Sequence, residues 1–195
     1  MCNEKANNMV YVISTRADLI SYLSQGKRVQ YLHFWGHTQK AEVIDKSCLS
    51  QWFYAPFTLE NSRYPTAEHY MMAQKAQLFK DNNKLTEILA CDSPQTAKQL
   101  GREVNNFDEQ LWKQHCFEYV VKGNLGKFSQ NIALREFLLS TGEQVLVEAS
   151  PRDRIWGIGM GASNPDANHP ERWRGQNLLG FALMQVRAQL RQMNH

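Results

Sequence analysis

The chain has 195 residues, 43% apolar and 21% charged, with a formal charge of +3. That length suits one domain with a sizeable core, and the balance is ordinary for a globular protein. The mild charge permits a phosphorylated ligand but lacks the clustered Lys and Arg of a nucleic-acid coat, and no window approaches the apolar length of a membrane span.

In chain order, residues 1–8 are polar and expected to fray, without the charged-then-apolar layout of a signal peptide. Residues 10–13 read as a short strand. Ser14 or Thr15 then caps a helix running to about Gln25, stopped by Gly26. Residues 29–35, dense in aromatic and branched side chains, predict a second strand that Gly36 breaks. Residues 36–64 mix strand and loop. A helical series follows over 66–80, 85–90, 94–101, 108–128 and 131–140. Ser93-Pro94 supplies an N-cap and first-turn proline for the third of these, while Gly123 and Gly126 weaken the fourth. Residues 144–149 read as an alternating strand, and 150–176 as a long loop. Gln176 or Asn177 caps a last helix with the apolar stripe Leu179, Ala182, Leu183, Val186 and Leu190.

The helix over 66–80 is unusual. At about 100° per residue, Glu68, Met71, Met72, Lys75, Leu78 and Phe79 share one stripe. Thr66, His69, Tyr70, Ala73, Gln74, Gln77 and Lys80 lie opposite. A buried charge without a partner is costly, yet Glu68 and Lys75 sit two turns apart within the stripe. Either they pair with other groups at the stripe's wet edges, or the stripe borders a pocket and both face a ligand. The long loop points the same way, since it holds Trp156, Trp173 and alternating glycines. A loop of that make-up is expected to close over a bound ligand.

The residues Tyr64-Pro65-Thr66-Ala67-Glu68-His69-Tyr70 with Ala73-Gln74-Lys75 resemble the signature of the NADAR family, the YbiA-like N-glycosidases. Residues Leu49 to Phe57 resemble the family's Leu-Ser-Asn-Phe-Tyr-x-x-Pro-Phe segment, with Gln51 where many members have Asn. Gly101-Arg102 and Trp112 fall in order. Asp153 to Gly159 resemble the Asp-x-x-Trp-Gly-x-Gly segment, and Gly175-Gln176-Asn177-Leu178-Leu179-Gly180 the C-terminal motif. The resemblance implies an α+β, helix-dominated single domain with a small β-sheet near the N-terminus. Residues 31–195 would form the N-glycosidase domain and 1–30 an extension, a small β-α unit laid against it.

On position alone Glu68 is a dipole-complementing residue at a helix start. That placement favours the ionised form, suited to a base or to stabilising positive charge rather than to an acid. Asp153, between Arg152 and Arg154, reads alone as a loop ion pair. Trp112 reads alone as core. The resemblance instead implies that Glu68 and Asp153 are catalytic and that Trp112 and Trp156 stack on a flat heterocycle. Lys75, Arg102 and Lys127 are candidates for phosphate contact. The resemblance also marks Gln51 and Asn177 as ligand contacts.

Metal chemistry finds no support in the spacing. His33 and His37 diverge if the first lies in a strand. Cys2, Cys48, Cys91 and Cys116 form no C-x-x-C pair and read as free thiols in a reducing cytoplasm. Residues 157–161 lack the Rossmann spacing, and neither a P-loop nor a serine elbow is present. The resemblance implies hydrolysis of ribosylamino-pyrimidine 5′-phosphates, early riboflavin-pathway intermediates, with no cofactor, no metal and no obligate protein partner. Its alternatives are removal of ADP-ribose from guanine in nucleic acid or nucleosides, and a non-catalytic ADP-ribose-binding module.

Overall fold

The computed structural model describes residues 13–39 and 42–193, so the strand expected over 10–13 lies, except for Ile13, outside the described residues. Helix α1 (Arg16–Ser24) begins at Thr15 with a reciprocal capping box to Asp18. Strand β1 (Tyr31–Phe34) follows, then a 3₁₀ turn (Lys46–Leu49) and the hairpin β2 (Phe57–Leu59) and β3 (Ser62–Tyr64). Next come α2 (Ala67–Leu78), α3 (Asn82–Ala90), α4 (Pro94–Arg102), α5 (Glu109–Gln130) and α6 (Ile132–Ser140). Thr66, Asp81, Ser93 and Asp108 each cap the helix they precede by accepting from a first-turn N–H. Strand β4 (Val145–Glu148) and helix α7 (Leu178–Gln192) complete the fold, with two 3₁₀ turns (Pro165–Asn168 and Pro170–Arg172) between them.

The architecture is the expected helix-rich α+β domain, but its sheet structure differs in two ways. There are two small sheets among the described residues, and only one is local in sequence: β2 pairs antiparallel with β3. The other joins β1 in parallel to β4, near the far end of the chain. Strand β4 was expected to alternate apolar and polar. Instead Leu146 faces the main core while Val145 and Val147 face a second one, so both faces are covered and only Glu148, at the end, is polar. Residues 13–30 join that second core. Leu19 of α1 is buried against it, and Arg16 Nε donates to the Pro170 carbonyl at 2.7 Å.

The glycines of α5 do not weaken it; the helix runs unbroken to Gln130. A Cβ at Gly123 would lie 2.5 Å from the Tyr70 ring, so this glycine is where α5 and α2 press together. Tyr70 and Ala73, on the far side of α2 from the Glu68 stripe, are fully buried in this contact.

Helix α7 is tied to β4 by one side chain. Asn177 sits in the left-handed region at φ 57°, and it is not the side-chain cap that the sequence suggested. Its Nδ2 donates to the Leu146 carbonyl and its Oδ1 accepts from the Glu148 N–H, both at 2.9 Å. Asn177 is wholly buried, and Gly180 makes room for it: a Cβ there would overlap the Leu146 oxygen. Asn177→Gly keeps the backbone conformation accessible but leaves a buried N–H and C=O without partners. It is expected to destabilise the protein by about 2–4 kcal/mol, read as a lower urea midpoint; an unchanged midpoint would show the clamp to be dispensable.

Candidate active site

The Glu68 stripe of α2 does border a cavity. A cleft of about 260 Å³ is lined on this side by Glu68, Met71, Met72 and Lys75. Helix α4 adds Lys98, Gly101 and Arg102, one face at i, i+3, i+4 spacing. Ser50, Gln51 and Trp52 enter from the turn after Leu49, Glu148 from the end of β4, and Asp153, Ile155 and Trp156 from the segment after it.

Burial dominates the electrostatics. Glu68 is 6% exposed, and desolvation raises its pKa to about 7 against the opposing pull of Lys98, a Trp52 indole hydrogen bond and Arg102. The dipole argument for a fully ionised Glu68 is therefore corrected: at neutral pH the group is balanced between acid and base. Glu148 is pushed further, to about 8, by burial and then by the charges of Asp153 and Glu68. Asp153 Oδ1 accepts from the backbone N–H groups of Ile155 (2.9 Å), Trp156 (2.7 Å) and Gly157 (3.4 Å), which fixes the carboxyl at the cleft wall.

The cations come from α2 and α4. Lys75 Nζ donates to the Gly101 carbonyl at 2.7 Å and lies 4.1 Å from the centre of the Phe107 ring. Its pKa is lowered by burial and then by the like charge of Arg102. Lys98 Nζ sits 5.8 Å from the Trp52 ring centre. Among the described residues, Lys75, Lys98 and Arg102 make no ion pair.

Residues 33–191 match the NADAR domain. The chain belongs to the NADAR family. N-glycosidase R617 of Acanthamoeba polyphaga mimivirus is 46% identical over 169 residues, covering 84% of this chain and 98% of the relative. N-glycosidase YbiA of Escherichia coli (strain K12) is 33% identical over 175 residues, 90% and 96% of the two chains. The NMR structure of the E. coli protein YbiA matches with a TM-score of 0.69 and 28% identity, over 87% of this chain and 90% of that one. The protein is accordingly an N-glycosidase, a hydrolase of N-glycosyl bonds.

Of the candidate site residues read from the sequence, Gln51, Glu68, Lys75, Arg102, Asp153 and Trp156 meet in the cleft. Three do not line it. Lys127 is fully buried and donates to the carbonyls of Cys48 (2.6 Å) and Ser50 (2.8 Å), so it braces the turn that carries Gln51 and Trp52 and cannot reach a phosphate. Asn177 clamps β4 and touches no ligand space. Trp112 stands behind Lys75, its ring centre 5.8 Å from the ammonium. Trp52, with Trp156, is the tryptophan that walls the cleft. Gln51 Oε1 accepts from Asn124 Nδ2 at 2.7 Å, which leaves its amide nitrogen beside Met71 Sδ at 3.9 Å.

Sequence reasoning missed Lys98 and Glu148 altogether. Lys98 shares a helix face with Gly101-Arg102, a spacing that was open to inspection. Glu148 is the one acid closing an apolar strand, Val145-Leu146-Val147, a weaker signal. The segment 150–176 is also a wall rather than a lid. Ile158 N–H bonds Glu148 O, and Arg174, Gln176, Asn177, Leu178 and Leu179 donate to the carbonyls of Ile158, Arg154, Gly157, Ile155 and Trp156. His33 Nε2 is 3.3 Å from the Ala167 carbonyl while His37 packs on Trp52, so the two rings serve different places.

A raised carboxyl pKa carries a sign for stability. Unfolded, Glu68 ionises near 4.5; folded, near 7. The stability associated with its neutral form is complete below about 4.5 and lost as pH rises through about 7. The stability of the parent relative to Glu68→Gln is expected to fall across that window, by at most about 3 kcal/mol. Urea midpoints of both proteins at pH 5 and pH 7.5 test this, and a constant difference would refute it.

Proposed function

We propose that the protein hydrolyses the N-glycosidic bond of ribosylamino-pyrimidine 5′-phosphates of the early riboflavin pathway, releasing ribose 5-phosphate and the aminopyrimidine. The observation that carries this is the division of charge in one cleft. Carboxyls from α2, β4 and the Asp153 turn share it with Lys75, Lys98 and Arg102, and Lys75 lies within the like-charge field of Arg102. Glu68 and Lys75 lie about 10 Å apart along α2, a span suited to a sugar with a phosphate at its far end.

Breaking the bond builds positive charge on the ribose ring. In this reading Asp153, held by three backbone donors, stabilises that charge, and Glu68 takes the proton of the attacking water. Trp52 and Trp156 flank the flat base. Lys75 and Arg102 hold the phosphate. No cofactor enters these steps. The free cysteines among the described residues, Cys48, Cys91 and Cys116, support a cytoplasmic setting.

One observation favours a second substrate class, guanine carrying ADP-ribose. A groove formed by Gln95, Thr96 and Gln99 continues from the cleft across Trp52, Lys98 and Arg102, and it offers room for a second phosphate. Purified protein incubated with each substrate and assayed for free aminopyrimidine or free guanine separates the two. Release of neither would return the cleft to a binding role.

Glu68→Gln is expected to lower turnover by at least roughly two orders of magnitude, the scale of a lost acid or base. Turnover within a few fold of the parent would remove Glu68 from the chemistry. Lys75→Met and Arg102→Met are expected to weaken binding of the phosphorylated substrate about tenfold or more, and that of its dephosphorylated form far less. Equal losses for both forms would place the phosphate elsewhere.

A further inference from the structure

Glu148 is tied through its backbone on both edges of its strand. Its N–H bonds Asn177 Oδ1 at 2.9 Å, its carbonyl accepts from Ile158 N–H at 2.9 Å, and its strand pairs with β1. Its side chain lines the cavity, yet Oε2 is enclosed and has no hydrogen-bond partner among the described residues. A carboxyl set at a cavity wall with one oxygen enclosed and unpaired is a costly arrangement in its ionised form.

Burial is the first cause of its raised pKa, and the charges around it follow. Asp153 and Glu68 face it with like charge, and Lys98 is the cation that acts on it. Buried among these, the carboxyl stays protonated up to about pH 8. A protonated carboxyl is a hydrogen-bond donor, and Oε2 meets no acceptor among the described residues. The lone pair that forms on the departing amino nitrogen of the pyrimidine is such an acceptor.

We propose that Glu148 is the general acid of the reaction, passing its proton to the leaving nitrogen of the base as the C–N bond breaks. The proposal rests on the hydrolytic reading of the cleft given above. The bonding pair of C1′–N goes to the nitrogen, which takes the Glu148 proton, and Glu148 becomes a carboxylate. Water adds to the C1′ cation and gives its proton to Glu68. Transfer of that proton from Glu68 to Glu148 restores both groups, and the sum is substrate plus water to sugar plus base. Protonation on departure contributes most where the leaving base is poor, which an aminopyrimidine is.

The test uses the intact protein and its Glu148→Gln variant. With ribosylamino-pyrimidine 5′-phosphate, the parent is expected to lose kcat above about pH 8. The variant should be slower by at least roughly a hundredfold and flat across that range. A purely structural role would lower the rate but keep the alkaline limb, so a variant that retains the limb, or that turns over within a few fold of the parent, overturns the assignment. Difference infrared spectra at pH 7 give a readout that needs no turnover. The parent should show a protonated-carboxyl band that the variant lacks, and absence of that difference overturns the assignment by itself. A parent that releases no base although the band is present overturns the substrate reading first, and Glu148's part in it as a consequence.

Discussion

The side-chain amide of Asn177 stands beside β4 where a third strand would otherwise run. It takes the Leu146 carbonyl and gives an acceptor to the Glu148 N–H, while β1 occupies the opposite edge. A two-stranded parallel pair buried between two cores has edge groups that water cannot reach, so some partner is obligatory. The chain meets that need with one residue in a left-handed conformation, which Asn tolerates better than most. Around this point Gly180 lets α7 approach, Ile158 bonds Glu148 O, and the residues after Gly175 lie along the Asp153 turn. Both acids that come from the C-terminal half of the cleft owe their places to it.

The opposing wall is built on other terms. Helix α2 is buried on nearly every side, and its polar stripe survives because it faces a cavity rather than packed side chains. Beneath it Lys127 spends an amine, its pKa lowered to about 7 by burial, on two backbone carbonyls. A cation placed there without a carboxylate costs stability, and what it secures is the position of the turn bearing Gln51 and Trp52.

Much of this was legible in the chain because it depends on local rules. Thr15, Thr66, Ser93 and Asp108 announce their helices, and the apolar stripe of the last helix is fully buried as its period requires. The wheel placement of Glu68 and Lys75 pointed to a cavity. What escaped is what distance in sequence conceals. That β1 finds β4 across the whole helical series is set by long-range packing. The same packing buries Glu68 enough to offset an expectation drawn from the helix dipole, and it raises the pKa of Glu148 as well. Motif residues mislead in a related way. Asn177 belongs to a family motif and Lys127 reads as a phosphate contact by sequence, yet both belong to the scaffold by geometry, since a polar side chain can serve a backbone group as well as a substrate.

The pairing of β1 with β4 also bears on how the protein is made. A chain leaving the ribosome presents Glu68, Lys75 and Arg102 early, on helices whose contacts are mostly local and quick to form. Glu148 and Asp153 arrive much later, and neither is fixed until α7 has emerged to supply Asn177 and Gly180. A nascent chain therefore carries Glu68 and the cations without the two later acids, and hydrolytic competence appears only once α7 has been made. Vectorial synthesis thus acts as a timer on the activity, set by the emergence of α7.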